Sequence, residues 1–90
     1  MTVREALGSI RNKVTLEIHT RSNKEGSPPD DMFETSSMIG GDHIIGRLKR
    51  CPAVDGAAIL EAEAFMYGYE NSVVVVAEMD KVKLRNERGA

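Results

Sequence analysis

The sequence predicts a small α+β domain, in which a sheet of two or three strands, antiparallel or mixed, carries helices packed on one face. Three observations predict this class: an amphipathic helix pattern opens the chain, a strand with strict alternation follows it, and four consecutive valines lie near the end. The 90 residues suffice for one domain, which we expect to span residues 1–86 and to leave 87–90 frayed. Two secure strands make a weak sheet, so we expect a third from an ambiguous segment or from a second subunit.

The first predicted element is a helix over Thr2–Lys13. Thr2 and Glu5 have the spacing of a capping box, in which each side chain accepts a backbone N–H of the other residue. The apolar side chains recur at helical spacing and form one stripe, which consists of Val3, Ala6, Leu7 and Ile10. This stripe predicts which face of the helix is buried.

A strand is predicted next, over Val14–Thr20, because apolar and polar residues alternate there and one face should be buried. Residues 21–31 are predicted to form a long loop, because they contain a glycine, two prolines and no apolar run. Met32–Ile39 fits either a short strand or a turn of helix.

A second helix is predicted over Asp42–Arg50, after two glycines that turn the chain. Asp42 is expected to cap its N-terminus, and Pro52 is expected to enforce its end. The packed side of this helix should consist of Ile44, Ile45 and Leu48.

The segment Ala57–Tyr69 allows two interpretations, of which the sequence favours a helix. Its Ala, Leu, Glu and Met residues are strong helix formers, and its apolar side chains recur at helical spacing. Asp55 would then be the N-cap. As a strand, the segment would place Glu61 and Glu63 on one face and form a hairpin with the following segment through the sequence GYENS.

The most secure strand is predicted over Ser72–Leu84, because four consecutive valines pack well on a pleated surface. An apolar run without alternation indicates burial on both faces, as in an inner strand or an interface. Val73, Val75, Ala77 and Met79 are at odd-numbered positions, whereas Val82 and Leu84 are at even-numbered ones. A continuous strand would therefore place Val82 and Leu84 on the opposite face. Either a bulge near Asp80-Lys81 shifts the strand, or its end leaves the sheet.

Composition and charge exclude several classes of protein. A chain that is 41% hydrophobic and 29% charged is typical of a folded soluble domain rather than a disordered one. Cys51 is the single cysteine, so no intramolecular disulfide or Cys-based zinc site can form. The sequence shows no signal region and no apolar run that could span a membrane, which predicts a cytoplasmic protein without membrane contact.

The stretch SSMIGGDHIIGRLKR looks most like a site, yet its residues favour structure. Its glycines precede a helix as in phosphate-binding loops, but Asp42 would occupy the anion position and repel a phosphate. His19 and His43 have no metal-site spacing with each other or with a third ligand. Cys51 lacks an evident set of catalytic partners. We therefore expect no cofactor, no bound metal and no catalysis.

The chain is instead predicted to act by binding, as a small regulatory protein that contacts a protein partner and associates with itself, most simply as a dimer. Its charge alternates along the sequence between a basic cluster, an acidic block and a basic tail. The end of the last strand would extend a sheet across a two-fold axis. The predicted partner-binding residues are Arg47, Lys49, Arg50, Lys81, Val82, Lys83, Leu84 and Arg85.

The alternative is a nucleic-acid-binding module, in which the basic clusters Arg47–Arg50 and Lys81–Arg85 follow a phosphate backbone. The net charge of −2 counts against it, because such modules are usually basic. The sequence also shows no aromatic pair of the kind that stacks on bases. Protein binding is therefore the preferred prediction.

Overall fold

The computed structural model describes residues 1–20, 28–36, 39–51, 54–69 and 72–79. Within these residues, three helices lie on one face of a mixed four-stranded sheet. The elements in chain order are α1 (Val3–Gly8), β1 (Val14–Thr20), β2 (Asp31–Glu34), α2 (Gly41–Arg50), α3 (Gly56–Leu60), β3 (Glu63–Tyr69) and β4 (Ser72–Met79).

The sheet has the strand order β2-β1-β4-β3. Its inner strands, β1 and β4, run parallel, with Leu16 opposite Val75. Each outer strand pairs antiparallel with its inner neighbour. The predicted α+β class is confirmed, and the first strand and the valine strand are neighbours in the sheet. The described sheet has four strands rather than two or three, because both ambiguous segments contribute one.

The core lies between the sheet and the helices. Alternate residues of β1 point into it, as do Val75 and Ala77 of β4. The helices contribute Val3, Ala6 and Leu7 from α1, Ile44 and Leu48 from α2, and Ile59 and Leu60 from α3. The apolar stripe predicted for the first helix is therefore the buried one.

The first helix begins as predicted. The Glu5 backbone N–H donates to Thr2 Oγ1 (3.1 Å) and the Thr2 N–H donates to Glu5 Oε1 (2.9 Å), so the capping box is confirmed. The helix ends earlier than predicted, at Gly8. Glycine weakens a helix by about 1 kcal/mol relative to alanine, and the Ser9 hydroxyl donates to the Ala6 carbonyl (2.8 Å). Together these two residues end α1 before the chain enters β1.

The second helix begins one residue before the predicted start and has a different cap. Gly40, with φ of +82°, is its N-cap residue. The prediction that Asp42 caps this helix is wrong: no side chain caps it, and the Asp42 carboxylate lies 3.5 Å from the Arg11 guanidinium. The reason is close contact with α1, because a Cβ on Gly41 would lie 2.8 Å from the Leu7 Cα. Only glycine fits at this contact, and the helix begins there, at Gly41. Asp42 is therefore the second residue of the helix rather than its cap.

The helix interpretation of Ala57–Tyr69 is wrong for most of its length. The helical part, α3, ends at Leu60, and Asp55 caps it as predicted by accepting the Ala58 N–H (3.3 Å). The remaining part is β3, which forms the hairpin with β4 that the strand interpretation contained. Helix propensity is a weak preference, and here the pairing of a seven-residue strand with a valine-rich neighbour overrides it.

The valine strand is an inner strand, as predicted. Its buried residues are Val74, Val75, Val76 and Ala77. Residues 80–90, which include Val82, Leu84 and the predicted bulge at Asp80-Lys81, lie outside the described residues. The same holds for Pro52 and for residues 21–27 of the predicted loop.

Candidate functional site

One face of the sheet carries no helix within the part of the chain that the structure describes, and we call it the open face. Its side chains alternate along each strand with those that point into the core. They are Met32 and Glu34 on β2, Thr15, Glu17 and His19 on β1, Val74, Val76 and Glu78 on β4, and Glu63, Phe65 and Tyr67 on β3.

The strand register arranges these side chains in rows across the sheet. One row consists of Glu34, Thr15, Val74 and Tyr67. The next row consists of Met32, Glu17, Val76 and Phe65. In both rows a valine of the inner strand lies beside an aromatic residue of the outer strand, within the usual contact range of cross-strand pairs.

Two aromatic side chains are exposed together on this face. Phe65 is 52% exposed and Tyr67 is 47% exposed, and they lie two residues apart on the same side of β3. Val74 and Val76 beside them are buried, although no described helix covers them. The valines are thus buried within the chain itself, while the two aromatic side chains remain about half exposed. Exposed apolar side chains that are grouped in this way mark interaction sites.

A groove of about 370 Å³ crosses the open face between Tyr67 and Met32. Its other lining residues are Lys13, Thr15, Glu17, Glu34, Ser72 and Val74. The groove therefore combines apolar surface with carboxylates and a single ammonium group, so it can accept an apolar side chain flanked by charge.

The charge of the open face is mainly negative. Its carboxylates are those of Glu17, Glu34, Glu63 and Glu78, and Lys13 is the cation that lines the groove. Two of the carboxylates already have partners: Glu17 Oε1 lies 3.0 Å from His19 Nε2, and Glu63 Oε2 lies 3.5 Å from the N-terminal ammonium. An acidic face of this kind attracts basic partners and repels phosphate groups.

The predicted basic cluster on α2 lies in the helix layer, away from the open face. Arg47 has a structural role, because its guanidinium donates to the Glu34 carbonyl (3.2 Å) and lies 5.0 Å from the centre of the Phe33 ring. Lys49 and Arg50 are exposed at the end of the helix. The other predicted partner-binding residues, Lys81 to Arg85, lie outside the described residues.

The residues considered for metal binding and catalysis are not brought together. His43 is exposed on α2, His19 is paired with Glu17 on β1, and the half-buried Cys51 follows α2. Among the described residues, no group of three or more His, Cys, Asp or Glu side chains could hold a metal ion.

The open face is the feature that sequence reasoning missed. The aromatic pair was overlooked because Phe65 and Tyr67 lie on different sides of a helix but on the same side of a strand. The strand interpretation of this segment contained the signal, since it placed Glu61 and Glu63 on one face, and Phe65 and Tyr67 follow them at the same two-residue spacing.

Comparison of the chain with protein-family models, with curated proteins and with solved structures found no match. In the described part of the chain, the helices are too short and too polar to cross a membrane. The function is therefore inferred from the geometry of the open face.

Proposed function

We propose that this chain is a protein-binding domain, and that its open face binds a partner surface that is apolar at the centre and basic at the rim. The observation that carries the proposal is the exposed pair Phe65 and Tyr67 beside the buried Val74 and Val76. Aromatic side chains at the centre of a contact surface contribute much of the binding energy in protein interfaces.

The arrangement of the inner strands supports the proposal. A sheet with one face in solvent usually carries polar residues on that face. Here the outward residues of the inner strands include Val74 and Val76, and Phe65 and Tyr67 beside them are about half exposed. Within the described residues no second layer covers these aromatic side chains, so a partner protein is a natural source of that layer.

The charge of the face favours a basic protein over a nucleic acid. Exposed aromatic residues on a sheet are also the feature on which nucleic-acid bases stack. Such surfaces follow the backbone with Lys and Arg, however, whereas the carboxylates of Glu34 and Glu78 flank this one. A phosphate backbone would be repelled, and Lys or Arg side chains of a protein would be attracted.

The proposal can be tested with synthetic peptides and amide chemical shifts. We expect a peptide of alternating lysine and leucine to shift the amide signals of β1, β3 and β4, and a peptide of alternating glutamate and leucine to shift them little. Phe65→Ala or Tyr67→Ala should weaken binding of the lysine peptide about tenfold, because loss of a central aromatic costs about 1.4 kcal/mol or more.

A matched control is Ile39→Ala, because Ile39 is 46% exposed but lies outside the sheet, before α2. Binding by this variant should equal that of the unchanged chain. Equal shifts from both peptides, or shifts confined to α2, would contradict the proposal. A single-stranded oligonucleotide that shifts the same amides at physiological salt would replace the protein partner with a nucleic acid.

A further inference from the structure

The outer edge of β3 carries backbone groups that no strand among the described residues pairs with over its full length. The Val3 N–H donates to the Ala62 carbonyl (3.0 Å), and the Ala64 N–H donates to the Met1 carbonyl (2.8 Å). The start of β3 is thus paired on its outer side by the N-terminal residues. Because successive residues of a strand point their backbone groups to opposite sides, those of Met66 also point outward.

The rest of this edge has no partner strand in the part of the chain that the structure describes. Like Met66, Gly68 points its N–H and carbonyl away from β4, and no described residue bonds to them. These groups lie beside Phe65 and Tyr67, whose side chains are about half exposed. A strand edge with free backbone groups and apolar side chains is a template for another strand.

The two edges of the sheet differ in how they are protected. β2 has only four residues, and Arg47 already donates to the carbonyl of Glu34 there. β3 has seven residues and contains no lysine and no proline, the residues that usually prevent edge-to-edge pairing. The β3 edge is therefore the one suited to strand addition.

We propose that two copies of the chain pair antiparallel through their β3 edges, about a two-fold axis that passes beside Tyr67. Met66 of one copy would then lie opposite Gly68 of the other, and each such pair would exchange two backbone hydrogen bonds. The sheets join into one, and the two open faces become continuous. This inference goes beyond the proposed function, because the strand edge and the open face are different surfaces.

The ends of β3 fit this register. With the axis at Tyr67, the β3 strand of the second copy ends opposite Phe65, one position short of Ala64, which is already bonded to Met1. The N-terminal residues and the second copy therefore occupy successive parts of the same edge without competing. The nearest charged residue of β3 is Glu63, at the far end from the axis, so two-fold pairing brings no like charges together at the centre.

The first experiment uses charge at the axis. We expect the sedimentation mass of the unchanged chain to rise from that of one chain to that of two as its concentration approaches roughly 500 μM. A dimer at lower concentration is not expected, because a contact between two short strands belongs to the weak class of interfaces. Tyr67→Lys and Tyr67→Glu should each abolish the dimer, since residue 67 lies opposite its own copy. An equimolar mixture of the two variants should restore it, because opposed unlike charges attract across a sheet.

The matched control for the charge variants is Met32→Lys. Met32 is also 47% exposed and on the open face, but it lies on the opposite edge of the sheet. We expect this variant to dimerise like the unchanged chain, although it should weaken binding of the lysine peptide. The two results separate the dimer from the proposed peptide-binding function, since either can fail while the other holds.

A second experiment uses a disulfide. In the Cys51→Ser background, Tyr67→Cys should form a covalent dimer under mild oxidation, because opposed residues of a non-hydrogen-bonded antiparallel pair have Cα atoms about 4.5 Å apart, within the range of disulfides. Met32→Cys in the same background should form no covalent dimer, because residue 32 lies on the opposite edge of the sheet. The proposal is overturned if Met32→Cys crosslinks as fast as Tyr67→Cys, or if Tyr67→Cys does not crosslink. It is also overturned if the unchanged chain is still a monomer at roughly 500 μM.

Discussion

The contact between α1 and α2 makes Gly41 a position where one added methyl group should have a large effect. A Cβ there would press against the Leu7 carbonyl oxygen and lie 2.6 Å from the carbonyl carbon and 2.8 Å from the Cα. Ordinary contacts of this kind are 3.4–4 Å. The groups that it meets belong to the backbone of a buried helix, so no flexible side chain can move aside.

The expected cost of Gly41→Ala follows from this geometry. The start of α2 would have to move away from α1 by about 1 Å, and overpacking of this kind costs about 1–3 kcal/mol. Since Gly41 is the first residue of the helix, little helix propensity is gained to offset that cost. We expect a loss of about 2 kcal/mol, which in a domain of this size lowers the melting temperature by roughly 8–16 °C. Thermal unfolding followed by circular dichroism measures it.

The control is Gly46→Ala, in the middle of the same helix. A Cβ there meets only the end of the Arg50 side chain, at 3.1 Å from Nη1, and that side chain can move. Alanine in a helix interior is better than glycine by about 0.5–1 kcal/mol, so the melting temperature should rise by a few degrees. If Gly41→Ala were as harmless as Gly46→Ala, the close approach of α1 and α2 would be refuted.

Three further substitutions test local contacts by chemical denaturation. Thr35→Val should cost about 1–3 kcal/mol, because the Thr35 hydroxyl accepts a buried backbone N–H at the start of β1 (3.2 Å) that valine would leave unpaired; Ser36→Ala, at the exposed residue that follows, should cost less than about 0.5 kcal/mol, and equal losses would argue against the buried bond. Asp55→Ala should cost about 1 kcal/mol through loss of the α3 cap, and no change in the denaturation midpoint would show that the cap contributes nothing. Arg47→Ala should cost about 1 kcal/mol, because its guanidinium lies over an aromatic ring of β2. The control Lys49→Ala should change the free energy of unfolding by less than about 0.5 kcal/mol. A larger loss for Lys49→Ala than for Arg47→Ala would show that the Arg47 contacts do not stabilise the fold.

The inner strands could be predicted from the sequence because their patterns have a single solution. In β1, the alternation of apolar and polar residues fits only a half-buried strand. In β4, consecutive valines fit only a strand that is buried on both sides, as Val74 and Val75 are. The capping box at Thr2 and Glu5 was equally local, since both hydrogen bonds join residues three apart.

The outer strands could not be predicted with the same security, because tertiary pairing decides them. β2 has four residues, too few for a periodic pattern. β3 mixes the helix formers Glu63, Ala64 and Met66 with aromatic residues that favour strands, and its pairing with β4 decides that it is a strand. The predicted start of α2 was wrong for a similar reason. Leu7 and Gly41 are in contact but lie far apart in the sequence, so a local pattern does not show their contact.

The location of the open face follows from the connection between the parallel strands. A parallel pair requires a crossover, and here the crossover from β1 to β4 contains α2 and α3, which pack in the same layer as α1. The described chain thus has one helical layer, and Val74 and Val76 lie on the opposite face beside their cross-strand neighbours Tyr67 and Phe65. A half-covered sheet usually has polar residues on its outer face. Valines and aromatics in these positions are the physical reason for proposing that a partner protein completes the cover.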